Sequence, residues 1–85
     1  MMRYTIDPSR VAYHPAFDVL YLGYGPHSLD VCDEIVDVDP GITIMRTNGE
    51  FSGAEIHGFS RSFGSLPTTI VVDGESPFEL YVPAA

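Results

Sequence analysis

Residues 42–57 read ITIMRTNGEFSGAEIH, two short runs rich in apolar and β-branched residues that are joined by Asn48-Gly49. This dipeptide is the strongest hairpin signal in the chain, because both of its residues tolerate the positive φ angles of a tight turn. In the first run, Ile42 and Ile44 fall on one face of an extended strand. The segment therefore predicts two antiparallel strands, Ile42–Thr47 and Glu50–His57.

Similar short runs fill most of the remaining chain, and dipeptides that contain Pro or Gly separate them. They predict five further strands, at residues 10–14, 18–24, 33–38, 68–72 and 78–82. One short helical turn is predicted at Phe59–Phe63, which Gly64 would end. The sequence therefore predicts a mainly β fold: a small twisted antiparallel sheet, arranged as a meander or half-barrel, with at most one short helix.

The length of the chain, 85 residues, leaves room for one hydrophobic core. We expect residues 1–85 to form a single β-rich domain in which residues 66–85 add a C-terminal hairpin. Domains of this size usually gain stability from disulfides, a structural metal or a second subunit. Cys32 is the only cysteine and the three histidines are too scattered for a zinc site, so we predict no cofactor and expect a homodimer.

The charge of the chain restricts its partners. Twelve acidic residues face four basic ones, all of them arginine, and the net charge is −8. This charge repels phosphate backbones and anionic membrane surfaces, and it favours a basic protein as partner. Because no apolar run is long enough for a membrane helix and the first residues lack a signal-peptide pattern, we expect a cytoplasmic protein that binds neither nucleic acid nor membranes.

Residues 13–22, YHPAFDVLYL, resemble the opening of a family of short prokaryotic proteins, the domain of unknown function 2283 family. The family pattern there is Tyr-x-Pro-x-x-Asp-x-Leu-Tyr followed by an aliphatic residue. Matching short motifs follow in the same order at residues 34–36, 40–42, 48–49, 53–56 and 59–60. The resemblance covers residues 10–64, with Arg46 where the family commonly has an acidic residue.

This resemblance implies a small twisted antiparallel sheet that often self-associates. It carries over no catalytic residue, because the family has no established activity. An antitoxin-like role, in which the protein neutralises a small toxin-like partner, is the function that it implies by analogy.

Glu55 and His57 are the candidate ligand-binding or metal-binding residues. They lie two positions apart in a predicted strand, so their side chains project from the same face. A carboxylate beside an imidazole can form an acid–base pair or part of a metal site, which His14 or Asp18 would complete if their strands are neighbours. The other interpretation is a polar contact on an exposed face. No catalytic residue is assigned, because no nucleophile or oxyanion donor accompanies the pair.

Aromatic residues suggest an interaction surface. Five Tyr and five Phe are many rings for so small a core, and Tyr is favoured where one protein meets another. The candidate interface residues are Tyr13, Tyr21, Tyr24 and Phe59. In addition, the predicted strand at Thr68–Val72 lacks the charged residues that guard a sheet edge, so it would invite pairing with another chain.

Together these observations favour a non-enzymatic protein–protein interaction module, antitoxin-like in that it neutralises a basic partner. The alternative is a small metal-binding or ligand-binding domain, or an enzyme, that uses Glu55 and His57.

Overall fold

Eight strands in the described residues form two sheets that pack face to face. The structure is a computed structural model, and it describes residues 1–26, 32–74 and 77–84. The strands are β1 (Met2–Thr5), β2 (Val11–His14), β3 (Val19–Gly23), β4 (Glu34–Asp39), β5 (Ile42–Thr47), β6 (Glu50–His57), β7 (Thr68–Val72) and β8 (Phe78–Val82). A 3₁₀ turn at Pro8–Arg10 precedes β2, and the short helix α1 spans Phe59–Phe63. The prediction of a mainly β fold with at most one short α-helix is confirmed.

The larger sheet has five antiparallel strands in the order β2-β3-β6-β5-β4. Its centre is the hairpin of β5 and β6, which turns at Asn48 and Gly49 with φ angles of 55° and 80°. Positive φ at both positions is what a tight hairpin turn requires, and the Asn-Gly dipeptide supplies it. Each predicted strand is present with bounds that differ from the predicted ones by one residue at most.

The smaller sheet has three strands in the order β1-β8-β7. β7 and β8 form an antiparallel pair, whereas β1 runs parallel to β8. The sequence did not predict β1, because the alternation of apolar and polar side chains in Met2–Thr5 extends over only four residues, the lower limit of a recognisable strand pattern. This strand is specified by its distant partner, and a local pattern does not reveal such pairing.

The core lies between the two sheets. Leu22, Ala54 and Ile44 stand side by side on β3, β6 and β5, and their side chains have no exposed surface. Ile70 and Leu80 pair across β7 and β8 and are equally buried. Burial of an aliphatic side chain stabilises a fold by about 1.5–3 kcal/mol, so these two apolar faces hold the sheets together. No helix in the described ranges is both long and apolar enough to span a membrane.

Candidate binding surface

The candidate site lies on the face of the five-stranded sheet that points away from the second sheet, which we call the outer face. Side chains alternate between the two faces of a strand, so the neighbours of the buried core residues project here. One row across the sheet contains Asp37, Thr43, Glu55 and Tyr21, which the backbone register aligns on β4, β5, β6 and β3. The outer face therefore brings together acidic and aromatic residues that are far apart in the sequence.

Glu55 and His57 lie on this face as predicted. The distance between Glu55 Oε1 and His57 Nε2 is 3.9 Å, and their side chains are 29% and 52% exposed. A pair this exposed and this far apart gains little from its mutual attraction, because water screens both groups. Glu55 and His57 are therefore polar neighbours on an exposed surface and do not form a strong ion pair.

Backbone contacts fix the position of His57. Its N–H donates to the carbonyl of Gly41 over 2.7 Å, and Gly41 itself has a φ of 89°. This bond holds the turn between β4 and β5 against the end of β6. His57 consequently borders a shallow depression of about 600 Å³ whose other lining residues include Asp37, Asp39 and Thr43.

The acidic residues of this depression are not neutralised by arginine. Thr43 Oγ1 donates a hydrogen bond of 2.7 Å to Asp37 Oδ1, which holds this carboxylate in place. Within residues 1–26, 32–74 and 77–84, no ion pair joins an arginine to Asp37, Asp39 or Glu55. We call Asp37, Asp39, Thr43, Glu55 and His57 the acidic patch.

Three of the four arginines lie away from the acidic patch, and the guanidinium of the fourth, Arg61, lies beside Gly58, the residue after His57. Arg46 pairs with Glu34 over 3.0 Å, and Arg3 pairs with Glu79 over 2.7 Å. Arg10 belongs to the outer face, but it lies over Gly23 and donates to the carbonyl of Gly25, at the far corner from the acidic patch. The charge of the outer face is therefore divided, with its acidic groups concentrated on β4 and β6.

His14 does not join Glu55 and His57. It shares the outer face with His57, but β3 separates their strands, and two strand spacings amount to about 10 Å. Its ring stacks on Phe17 with 5.0 Å between the centroids. Among the described residues no group of three or more His, Cys, Asp or Glu is placed to hold a metal ion. His27 lies outside the described residues.

Asp18 also takes no part in that surface. It lies in the turn between β2 and β3 with a φ of 53°, and its carboxylate accepts hydrogen bonds from Tyr13 Oη (2.6 Å), the Ser60 N–H (3.0 Å) and Ser60 Oγ (2.9 Å). Its carbonyl accepts from the N–H of Phe59 over 3.1 Å. The hydrogen bond from Tyr13 is the main cause that lowers the pKa of Asp18, and the bond from the Ser60 N–H is the second. The bond between Tyr13 and Asp18 also raises the pKa of Tyr13. Asp18 therefore joins the turn to the start of α1.

The four predicted interface aromatics divide into two groups. Tyr13 is 45% exposed, and Tyr21 lies half-buried on the outer face beside Glu55. Phe59 is only 5% exposed within the core, and Tyr24 packs on Tyr4 at 4.9 Å between centroids. Phe59 therefore offers a partner little surface, because its ring packs on Tyr13 and Phe63, whereas the half-buried Tyr24 has a ring of the second sheet as its neighbour.

Two residues of the site are not among the candidates that the sequence singles out. Asp37 is one of them, and its alternation with Val36 and Val38 puts it on the face opposite the core. Ile35 lies on the same face and is 65% exposed, which is unusual for so apolar a side chain beside charged ones. The neighbours of Asp37 and Ile35 depend on which strand pairs with β4, and this pairing is set by the tertiary fold.

The chain was compared with protein-family models, with curated proteins and with solved structures, and none of these comparisons finds a match. The resemblance of residues 10–64 to the domain of unknown function 2283 family stays a prediction.

Proposed function

We propose that this protein is a non-enzymatic binding module that docks a basic surface of a partner protein on its acidic patch. The observation that supports this proposal most directly is the row in which Asp37 and Glu55 flank Thr43 on the outer face. Carboxylates that no arginine neutralises attract cations, and the overall charge of −8 extends that attraction to longer range.

The spacing of the patch describes the partner. Asp37 and Glu55 lie two strands apart, so their backbones are about 10 Å from each other. A partner that presents two Arg or Lys side chains at a similar separation can contact both carboxylates at once. Arg is the better fit, because its planar fork of donors matches a carboxylate.

Apolar and aromatic groups border the charges. Ile35 is exposed on β4 next to Asp37, and Tyr21 stands beside Glu55. Protein interfaces combine aromatic or aliphatic contacts with charged groups that set orientation and association rate. The outer face offers both kinds of group on one continuous surface.

A neutralising, antitoxin-like role is one form that this function would take, since covering a cationic surface removes it from its own target. The same charge disfavours nucleic acids and anionic membranes as ligands. Residence in the cytoplasm is proposed with it. The competing function, metal binding or catalysis by Glu55 and His57, would have only these two donors, whereas protein zinc sites use three or four ligands.

A titration with a short peptide that carries two arginines tests the proposal. We expect NMR chemical-shift changes to concentrate at Asp37, Thr43 and Glu55, and binding to weaken as the salt concentration rises. The double variant Asp37→Asn/Glu55→Gln should weaken binding about fivefold, because two charge contacts are lost.

A matched control removes two other exposed charges, in the double variant Glu50→Gln/Asp73→Asn. It has the same net charge as the first variant, so it should bind the peptide nearly as well as the unmodified protein. Equal weakening in both variants would show that only overall charge attracts the peptide, and the proposed site would then be abandoned. Shift changes confined to His57 on addition of Zn²⁺ would instead favour the metal-binding alternative.

A further inference from the structure

The two sheets have four edge strands, and three of these carry a feature that discourages pairing with another chain. β4 bears three acidic residues and an irregular register between Asp37 and Asp39. β1 carries Arg3, which is paired with Glu79. β2 has only four residues, and a very short strand offers a further chain little to pair with. Charges, irregular register and Pro are the usual protections of an exposed strand edge.

The fourth edge, β7, has no charge, no irregular register and no Pro within the strand itself; Pro67 and Asp73 flank it. Its five residues are Thr68, Thr69, Ile70, Val71 and Val72, all of them β-branched and none charged. In the described part of the chain, β8 is the only strand paired with it. An uncharged, regular edge of β-branched residues is the kind of edge that pairs with a further strand.

A hydrogen bond between β8 and β1 shows which way the backbone groups of β7 point. The carbonyl of Tyr81 accepts a hydrogen bond from Ile6, so the polar backbone groups of Tyr81 point toward β1. Thr69 stands directly opposite Tyr81 in the antiparallel pair of β7 and β8. The backbone N–H and C=O groups of two opposed residues point either toward each other or both away from each other. Because those of Tyr81 point away from β7, those of Thr69 point away from β8. The N–H and C=O of Thr69, and by alternation those of Val71, therefore point outward from the free edge.

This arrangement is self-complementary. When a second copy is placed antiparallel about a two-fold axis at Ile70, Thr69 of each copy faces Val71 of the other. Both residues point outward, so each such pair exchanges two backbone hydrogen bonds. The two copies of Asp73, which follows β7, lie at opposite ends of the shared strands, where their repulsion is small.

We propose that β7 is the surface through which two copies of this chain associate, so that their small sheets join into one six-stranded sheet. The occupant of the edge is a second copy because an uncharged strand gains nothing from a basic segment, whereas the positions of the outward groups match those of an identical strand. The interface is small, so the dimer is weak and depends on protein concentration.

Sedimentation equilibrium over a range of concentrations tests the proposal, together with two double variants. In Thr69→Lys/Val71→Lys, the self-pair places like charges directly opposite each other, and we expect the dissociation constant to rise roughly tenfold or more. In Thr69→Lys/Val71→Glu, a lysine of one copy faces a glutamate of the other. The dissociation constant of this second variant should be close to that of the unmodified protein, because the facing charges attract each other.

Amide exchange supplies a second readout that does not depend on the variants. Protection of the Thr69 and Val71 amides should increase with protein concentration, while that of Thr68 and Ile70, which already face β8, should not change. Thermal unfolding of each variant at a concentration where it is monomeric shows whether the fold is intact.

A protein that stays monomeric at every concentration would overturn the proposal. So would a dimer whose dissociation constant is the same in both double variants, since another surface would then hold the copies together. Neither result bears on the acidic patch, because the peptide titration reports on β4, β5 and β6 and requires no dimer.

Discussion

Asp18 shows how one residue can connect three parts of this fold. Its carboxylate accepts donors from Tyr13 on β2 and from Ser60 on α1, while its own backbone forms the turn that leads into β3. The two oxygens of a carboxylate have room for several donors at once. A helix as short as α1 contributes little stability of its own, so its position depends on this contact.

The contact between Tyr13 and Asp18 makes stability depend on pH at both extremes. The folded-state pKa of Asp18 is lowered from 3.8, so its stabilisation is complete above that value and is lost as the pH falls through the lower pKa of the folded protein. The pKa of Tyr13 is raised from 10.0, so its stabilisation is complete below that value and is lost as the pH rises through the higher folded pKa. Urea unfolding between about pH 2.5 and pH 11 should show both losses.

The variant Tyr13→Phe provides the control for this prediction. It removes the hydrogen bond that is the first cause of both shifts, so the pKa of Asp18 should rise toward 3.8 and the loss of stability at high pH should become smaller. The pKa of Asp7, which the N–H of Ser9 lowers, should not change. An unchanged pH profile in Tyr13→Phe would contradict the proposed role of the bond.

At the scale of elements, turns and strand pairings place the acidic patch. The turn between β4 and β5 is held to β6 by the bond from the His57 N–H to the carbonyl of Gly41. A Cβ added at Gly41 would lie 3.0 Å from the carbonyl oxygen of His57, which is closer than ordinary contact allows. Gly41 therefore meets two requirements, a left-handed backbone and a close approach to another strand.

Gly41→Ala should destabilise the protein by more than the cost of its backbone angle alone. A left-handed φ costs a residue with a Cβ about 1–2 kcal/mol, and the clash with His57 adds to this. Gly49→Ala is the matched control, since Gly49 has a similar φ of 80° but no atom within 4 Å of an added Cβ. Urea unfolding of both variants measures the difference, and equal losses would mean that the close approach has no energetic weight.

Individual strands could be predicted from the sequence because their signals are local. Asn48-Gly49 and the Pro or Gly dipeptides mark the turns, and β-branched runs mark the strands between them. The parallel pairing of β1 with β8 could not be predicted, because no local pattern links Tyr4 to Leu80. For the same reason a count of rings could not show that Phe59 is buried beside Phe63 or that Tyr24 packs on Tyr4 of β1.

The candidate site was predicted in part for the same reason. Glu55 and His57 share one face by simple alternation along β6, and this could be deduced without a structure. Asp18 is held outside the site by its hydrogen bonds to α1, and Asp37 lies in the site because β4 pairs with β5. Both contacts form only in the folded chain. Alternation gives the face of a residue, and sheet order gives its neighbours.

At the scale of the whole molecule, stability depends on the layer that the two sheets share. Leu22 lies on β3 in the middle of that layer and has no exposed surface. A domain of this size has a small margin of stability, so the loss of one large core side chain is a substantial fraction of the total.

Leu22→Ala should lower the free energy of unfolding by about 2–5 kcal/mol, because the substitution leaves a cavity between the sheets. Ile35→Ala removes a side chain of similar size that is 65% exposed on the outer face, and it should change stability by less than about 0.5 kcal/mol. Chemical denaturation of both variants makes the comparison. A large loss in Ile35→Ala would show that this residue packs more tightly than its exposure indicates.

The parallel pairing of β1 with β8 has a consequence for folding during synthesis on the ribosome. β2 to β6 emerge together, within residues 11–57, and can form the larger sheet early, whereas β8 must be made before β1 has a neighbour. Until then the apolar side chains of Leu22, Ile44 and Ile56 lack their cover. The nascent chain therefore exposes an apolar surface until residues 68–82 have been made, and in that interval it would be a natural client for a chaperone.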